Sequence, residues 1–190
     1  MNISSTGTNL IKKYESCSLS VYADAAGYPT VGYGHKLSQN IYSNYKNQNL
    51  PTSIANKELK NSGLSYTSPI TKSQANTLLN KDTATAVSKV NALSCISKLN
   101  QNQFDALVSL TYNVPKVLTS NDMIALLADN EIYDGFIGPI TPELPAMITA
   151  AFQWTKVGNT QLNGLINRRN AEMELFCKNM RYFYNKIPNV

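Results

Sequence analysis

The chain has 190 residues, of which 43% are hydrophobic, so it can bury the core of one globular domain, and a largely disordered protein is excluded. Charged residues account for only 15%, and 17 basic against 12 acidic residues give a formal net charge of +5. This excess favours an anionic partner: nucleic acid, lipopolysaccharide or an anionic cell-wall polymer.

The N-terminal segment predicts a short helix rather than an export signal. Met1–Glu15 has neither an apolar core nor a small-residue cleavage site, so we expect no signal peptide. Within residues 8–16, apolar and aromatic side chains recur at helical spacing, which predicts an amphipathic helix with Glu15 in its last turn. No later stretch is long and apolar enough to predict a membrane-spanning helix.

The next two segments differ in how regular their predicted structure is. Residues 19–37 combine β-branched and aromatic residues with glycine-containing turns, which predicts a small hairpin sheet. Residues 38–69 are rich in Asn and Ser and are interrupted by proline and glycine, which predicts a long, partly ordered insertion.

The remainder of the chain is predicted to be helical. Thr71 and Gln74 form a capping box that begins a long helix. Further helical patterns cover residues 103–113, 120–130, 141–154 and 164–180. Early strands and late helices predict a single α+β domain with two lobes: a helix-plus-hairpin lobe over about residues 1–70 and an all-helical lobe over about 71–190.

Three polar residues near the N-terminus are candidate catalytic residues. Glu15 lies at the predicted helix end, Asp24 in the first hairpin strand or the turn after it, and Thr30 on the return strand. A hairpin brings Asp24 and Thr30 face to face. Glycoside hydrolysis requires one protonated and one ionised carboxyl group beside the scissile bond, and Glu15 and Asp24 are candidates for this pair.

The spacing of these residues also indicates a family. Glu15-x8-Asp24-x5-Thr30, followed by Val-Gly-Tyr-Gly-His35, closely resembles the phage-type lysozymes, the endolysins of glycoside hydrolase family 24. Further similar blocks follow in the family's order at residues 70–82, 104–113 and 164–176. The resemblance therefore covers most of the chain and implies a lysozyme-like fold with the active-site cleft between its two lobes.

The resemblance implies a specific reaction. It implies hydrolysis of the β-1,4 bond between N-acetylmuramic acid and N-acetylglucosamine in peptidoglycan, without a metal or an organic cofactor. Glu15 would be the general acid, Asp24 would position or activate water, and Thr30 would support that water. As candidate substrate-binding residues we add Gly34, which allows close approach to the main chain, Lys36, and the aromatic Tyr112.

Four other residues receive structural interpretations. His35, the sole histidine, is interpreted as a scaffold residue paired with Asp82, since the resemblance implies such an ion pair. Trp154 is predicted to lie in the core. Of the neighbouring Arg168 and Arg169, one is predicted to pair with Glu172 on the same helix while the other faces solvent.

Several alternatives stay open for the biological setting. A monomeric endolysin would remain in the bacterial cytoplasm until a holin opens the way to the wall, whereas an antibacterial effector would be injected. The other readings are a catalytically silent peptidoglycan-binding module, a lytic transglycosylase, and a nucleic-acid-binding domain using Arg181–Tyr184, which the rest of the sequence does not support. The 38–69 insertion could be a lid, a wall-binding surface or a tolerated addition.

Overall fold

A computed structural model of the chain describes residues 1–178, 180 and 185–190. Arg181–Tyr184, the segment considered for nucleic-acid contact, lies outside these residues. The chain divides into two compact units: Glu15–Ala84, called the sheet unit here, and Met1–Tyr14 with Thr85–Val190, called the helical unit. These bounds differ from the expected lobes because the N-terminal helix groups with the C-terminal helices.

The sheet unit contains a four-stranded antiparallel sheet with the strand order β3-β2-β1-β4. Its strands are β1 (Ser18–Ala23), β2 (Pro29–Gly32), β3 (His35–Lys36) and β4 (Gln48–Asn49). The first three confirm the predicted hairpin sheet. The fourth comes from the Asn/Ser-rich segment, where no strand was predicted.

Alternation along the strands gives the sheet two different faces. Val21, Ala23 and Val31 are fully buried, and we call their side the core face. Tyr22 projects to the opposite side, the polar face, because successive side chains in a strand alternate. Thr30 lies directly across from Tyr22 in the ladder and therefore shares the polar face.

The segment 38–69 is more regular than the sequence predicted. Besides β4 it contains a 3₁₀ turn (Ser43–Tyr45) and helix α2 (Thr52–Asn61). Pro51 does not interrupt this helix but directly precedes it, where its missing N–H costs no helical hydrogen bond. Ala55 and Leu59, spaced by one helical turn, are fully buried, so α2 has an apolar face despite its polar composition.

A buried carboxylate holds the segment in place. Glu58 of α2 is fully buried, and its Oε1 accepts hydrogen bonds from the Asn40 amide, at 2.8 Å, and from the Tyr42 hydroxyl. Burial raises the pKa of this carboxyl, but side-chain hydrogen bonds from Ser38, Tyr42 and Asn40 outweigh burial, so its pKa is below the ordinary value. Glu58 therefore ties the chain before β4 to the helix that follows it.

Helix α3 (Lys72–Asn91) contains residues of both units and begins as predicted. The Thr71 N–H donates to Gln74 Oε1 at 2.8 Å, and the Gln74 N–H donates to Thr71 Oγ1 at 3.1 Å. These two reciprocal bonds confirm the capping box. Gly32 of β2 has a φ of +67°, a conformation that favours glycine, and a Cβ added there would be in ordinary van der Waals contact with the Ala75 Cβ of α3, at 3.4 Å.

The helical unit confirms the other predicted helices, with shifted ends. Its helices are α1 (Ser5–Tyr14), α4 (Gln101–Asn113), α5 (Asn121–Ala128), α6 (Leu144–Phe152) and α7 (Asn163–Phe176). Because α1 ends at Tyr14, Glu15 directly follows the helix instead of lying in its last turn. The α4 helix supplies much of the core, since every residue from Gln103 to Thr111 is buried.

Two features of the helical unit differ from prediction. A short hairpin, β5 (Lys156–Val157) with β6 (Thr160–Gln161), was not predicted. Trp154, predicted to be core, is 39% exposed just before this hairpin, so that prediction is wrong. Among the described residues, no helix is long and apolar enough to cross a membrane.

The prediction that one of the two neighbouring arginines faces solvent is also wrong. Arg168 and Arg169 are both buried, because both pair with the buried Glu172. The distances to Glu172 are 3.1 Å from Arg168 Nε and 2.8 Å from Arg169 Nε, and Ser109 Oγ donates to the same carboxylate at 2.7 Å. Burial raises the pKa of Glu172, and the two guanidinium groups oppose this change.

We expect Glu58→Gln to lower the free energy of unfolding at neutral pH by about 1.5–3 kcal/mol, the range for hydrogen bonds to a charged group. Since the pKa of Glu58 is lower in the folded chain than its ordinary value, its stabilising contribution is complete above the unfolded-state pKa and is lost as pH falls through the folded value. The difference between wild type and variant should therefore shrink in acid.

Urea unfolding at neutral and acidic pH measures this difference, with the exposed Glu174→Gln as the matched control. A Glu58→Gln deficit that is the same at both pH values would contradict the assigned role of the carboxylate.

Candidate active site

Asp24 is fixed by the turn that follows β1. Its Oδ1 accepts hydrogen bonds from the N–H groups of Ala26, at 2.8 Å, and Tyr28, at 2.9 Å. The Asp24 N–H donates to the Tyr28 carbonyl, and the Gly27 N–H donates to the Asp24 carbonyl, both at 2.9 Å. An Asp whose side chain bonds to its own turn has a defined orientation before any ligand binds.

Thr30 lies at the centre of the sheet. It is only 4% exposed, and its Oγ1 donates to the Tyr28 carbonyl at 3.0 Å. In the ladder it lies between Tyr22 of β1 and Lys36 of β3. Because the hydroxyl proton is used on the carbonyl, Oγ1 is oriented to accept a hydrogen bond from another donor, such as water.

Glu15 is half-buried at the start of the sheet unit, directly after α1. Its relation to Asp24 is visible at a third side chain, Tyr22. The pKa of the Tyr22 phenol is raised by burial, then by the negative charge of Asp24, and then by that of Glu15. Asp24 and Glu15 thus share one neighbour, the Tyr22 phenol, on which both negative charges act in the same direction.

Tyr22 is the member of this group that sequence reasoning missed. In the sequence, Tyr22 fits the alternating pattern of a strand, and that pattern does not indicate a role in the site. The signal that could have found Tyr22 is its position in the ladder, since it pairs directly with Thr30 and lies two residues before Asp24.

The candidate substrate-binding residues are divided between the two units. In the sheet unit, Lys36 is exposed and opposite Thr30, with its Nζ 3.0 Å from the centroid of the Tyr28 ring and 3.2 Å from Gln39 Oε1. Gly34 is exposed in the turn before β3, has a φ of +88°, and has open space where a Cβ would project. Tyr112 lies on α4 of the helical unit, half-buried against that unit's core.

The predicted pairing of His35 with Asp82 is confirmed. His35 Nδ1 lies 2.9 Å from each carboxylate oxygen of Asp82, which is on α3. The pair therefore fixes β3 to this helix. This connection agrees with the scaffold interpretation of His35.

Comparison with known proteins identifies the family. A family model described as phage lysozyme matches residues 12–172, a range that includes Glu15, Asp24 and Thr30. The chain belongs to the phage lysozyme family.

Two relatives agree with this assignment. The chain is 31% identical over 180 residues to an endolysin of Bacillus phage PZA, covering 93% of this chain and 55% of that protein. It is 30% identical over 181 residues to an endolysin of Acyrthosiphon pisum secondary endosymbiont phage 1, covering 93% of this chain and 98% of that protein. The chain thus spans about half the length of the first relative and nearly all of the second.

Solved structures of lysozymes share the fold. The endolysin from Escherichia coli O157:H7 phage FAHEc1 matches with a TM-score of 0.60 and 26% identity over 98% of both chains. A mutant of P22 lysozyme matches with a TM-score of 0.59 and 27% identity, covering 94% of this chain and 99% of that one. The expected lysozyme-like α+β fold is therefore confirmed.

In this phage lysozyme family member, we expect removal of either carboxylate to lower the pKa of Tyr22. A nearby negative charge favours the neutral phenol, so Glu15→Gln and Asp24→Asn should each shift the Tyr22 pKa downward, with the larger shift in Asp24→Asn. NMR titration of tyrosine labelled with ¹³C at Cζ measures this pKa, and Tyr22→Phe assigns the signal. A Tyr22 pKa that moves in neither variant would contradict the convergence of the two carboxylates.

A double-mutant cycle tests the pair between His35 and Asp82. His35→Ala and Asp82→Ala should each lower the free energy of unfolding by about 0.5–1.5 kcal/mol, and the double variant should lose less than the sum of the two, since both remove the same hydrogen bond. Denaturant unfolding of the four proteins provides the measurement. Strictly additive losses would show that the two side chains do not interact in solution.

Proposed function

We propose that this chain is a muramidase that hydrolyses the β-1,4 bond between N-acetylmuramic acid and N-acetylglucosamine in peptidoglycan. The observation that carries the proposal is the match of residues 12–172, which include Glu15, Asp24 and Thr30, to the phage lysozyme family. The negative charges of Asp24 and Glu15 both raise the pKa of Tyr22, which pairs with Thr30 across the sheet, and this supports the same assignment. Two carboxyl groups and a hydroxyl at one site provide the acid, the base and the water-orienting group that glycoside hydrolysis requires. Membership of the phage lysozyme family supports the same substrate class.

Glu15 is assigned as the general acid. In its protonated form it donates a proton to the glycosidic oxygen as the bond to the anomeric carbon breaks, so that the leaving sugar departs as a neutral alcohol. Glu15 directly follows α1 and is half-buried. Proton donation by a positioned carboxyl group accelerates such a reaction by about 10²- to 10⁴-fold.

Asp24 and Thr30 are assigned to the attacking water. Both turn hydrogen bonds of Asp24 use Oδ1, so Oδ2 is the oxygen that we assign to the water proton. Thr30 presents its lone pairs, because its proton is donated to the Tyr28 carbonyl. Since these groups are fixed before the substrate binds, little reorganisation is needed as charge develops in the transition state.

The surroundings of the site suit an anionic glycan. The muramic acid residues and stem peptides of peptidoglycan carry carboxylates, and the net charge of +5 attracts them. We assign Lys36, Gly34 and Tyr112 to binding of the glycan. Release to the wall through a holin, as for a monomeric endolysin, belongs to the same proposal.

The carboxyl-to-amide variants test the proposal. We expect Glu15→Gln to lower turnover of purified peptidoglycan by about 100-fold or more, because the amide keeps the shape but has no acidic proton to donate. Asp24→Asn should also be severely impaired. The exposed Glu174→Gln, with the same chemical change far along the chain, should retain wild-type turnover, and circular dichroism confirms that each variant is folded.

Mass spectrometry of the wild-type digest separates the remaining alternatives. Hydrolysed reducing ends at muramic acid support the muramidase assignment, whereas anhydro-sugar ends indicate a lytic transglycosylase. Binding to peptidoglycan without release of fragments indicates a catalytically silent module. Wild-type turnover by Glu15→Gln would refute the assigned acid.

A further inference from the structure

The polar face of the sheet continues beyond the proposed catalytic residues. Lys36, Thr30, Tyr22 and Asn49 occupy directly paired positions on β3, β2, β1 and β4, so they form one row across all four strands. Residues paired in this way project from the same face of an antiparallel sheet. Asn49 is thus the outer member of a row that contains Thr30 and the phenol on which both carboxylates act.

The residues beside Asn49 confirm which way it projects. Leu50 is only 6% exposed, and its N–H donates at 2.9 Å to the carbonyl of the fully buried Val21. Because Leu50 lies on the core side, Asn49, one residue earlier, lies on the polar side, and Gln48 projects with Leu50. Asn49 is exposed, so its amide is accessible on the polar face.

The structure fixes Asn49 in place through the backbone on both sides of it. The Asn47 N–H donates to the Ala23 carbonyl at 2.8 Å, and Asn47 takes a left-handed conformation with a φ of 58°. Glu58 holds the chain before β4 through Asn40 and Tyr42. A backbone that is already ordered loses little further entropy when its side chain binds a ligand, which favours a recognition role over that of a moving lid.

We propose that Asn49 is a glycan-binding residue and that the segment 38–69 extends the substrate-binding surface through it. The inference rests on the proposed function, which supplies a substrate whose two sugars both carry acetamido and hydroxyl groups. A primary amide both donates and accepts hydrogen bonds, so it matches an acetamido group or a pair of hydroxyls. Of the three roles open for this segment, the row of paired residues favours a wall-binding surface.

Binding measured without turnover tests the inference. In the Glu15→Gln background, the dissociation constant is measured by calorimetry for soluble glycan strands of alternating N-acetylglucosamine and N-acetylmuramic acid, freed of peptide. We expect Asn49→Ala to weaken binding about 3- to 10-fold, the effect of one neutral hydrogen bond. Gln48→Ala, the neighbouring change on the other side of the same strand, should leave binding unchanged.

Kinetics in the otherwise native chain give the second readout. Asn49→Ala should raise KM with little change in kcat, since a contact made equally in the ground and transition states affects binding alone. Equal affinities for the Asn49→Ala and parent proteins would overturn the inference, and so would an equal loss in Gln48→Ala, which would indicate a general disturbance of β4. Failure of the muramidase proposal is seen separately, as the absence of hydrolysed ends in the wild-type digest.

Discussion

The proposed site depends on the two-sided character of a small antiparallel sheet. Alternation along β1 buries Val21 and Ala23 on one side and places Tyr22 on the other, and the turn that orients Asp24 begins where this strand ends. A shift of one residue would move Val21 and Ala23 to the opposite face, so their burial specifies the register strongly. The position of the proposed catalytic groups is therefore a consequence of core packing.

So small a sheet requires support from outside its own ladder, since two of its strands have only two residues. The structure provides it at both edges. At one edge, the pair between His35 and Asp82 connects β3 to α3. At the other, the buried Glu58 connects the chain before β4 to α2. Neither the pair between His35 and Asp82 nor Glu58 has an assigned part in the chemistry, and both support the edges of the sheet.

The parts of the structure that the sequence predicted are those with local or spacing signals. The capping box at Thr71 was recognisable because both partners lie within one helical turn, and the helix patterns of α4 to α7 were long enough to identify. Glu15, Asp24 and Thr30 were selected because their spacing matched a family. The effect of Asp24 and Glu15 on the Tyr22 phenol required coordinates, because nothing in the strand pattern marks a tyrosine as the neighbour of both carboxylates.

The missed features depend on contacts distant in sequence. The two residues of β4 are too few for a strand pattern, and their pairing with Tyr22 comes from the register of another strand. Helix α2 was hidden by its Asn- and Ser-rich surface, although Ala55 and Leu59 supply a buried face. The burial of both Arg168 and Arg169 follows from one buried acceptor, Glu172, at positions i+4 and i+3.

The most direct test of the central claim is a crystal structure of the inactive Glu15→Gln variant with a bound fragment of the peptidoglycan glycan. The account predicts a saccharide on the polar face of the sheet, with residue 15 within hydrogen-bond distance of a glycosidic oxygen and Asp24 on the opposite side of that linkage. A saccharide bound elsewhere, with Asp24 and Thr30 out of its reach, would contradict it.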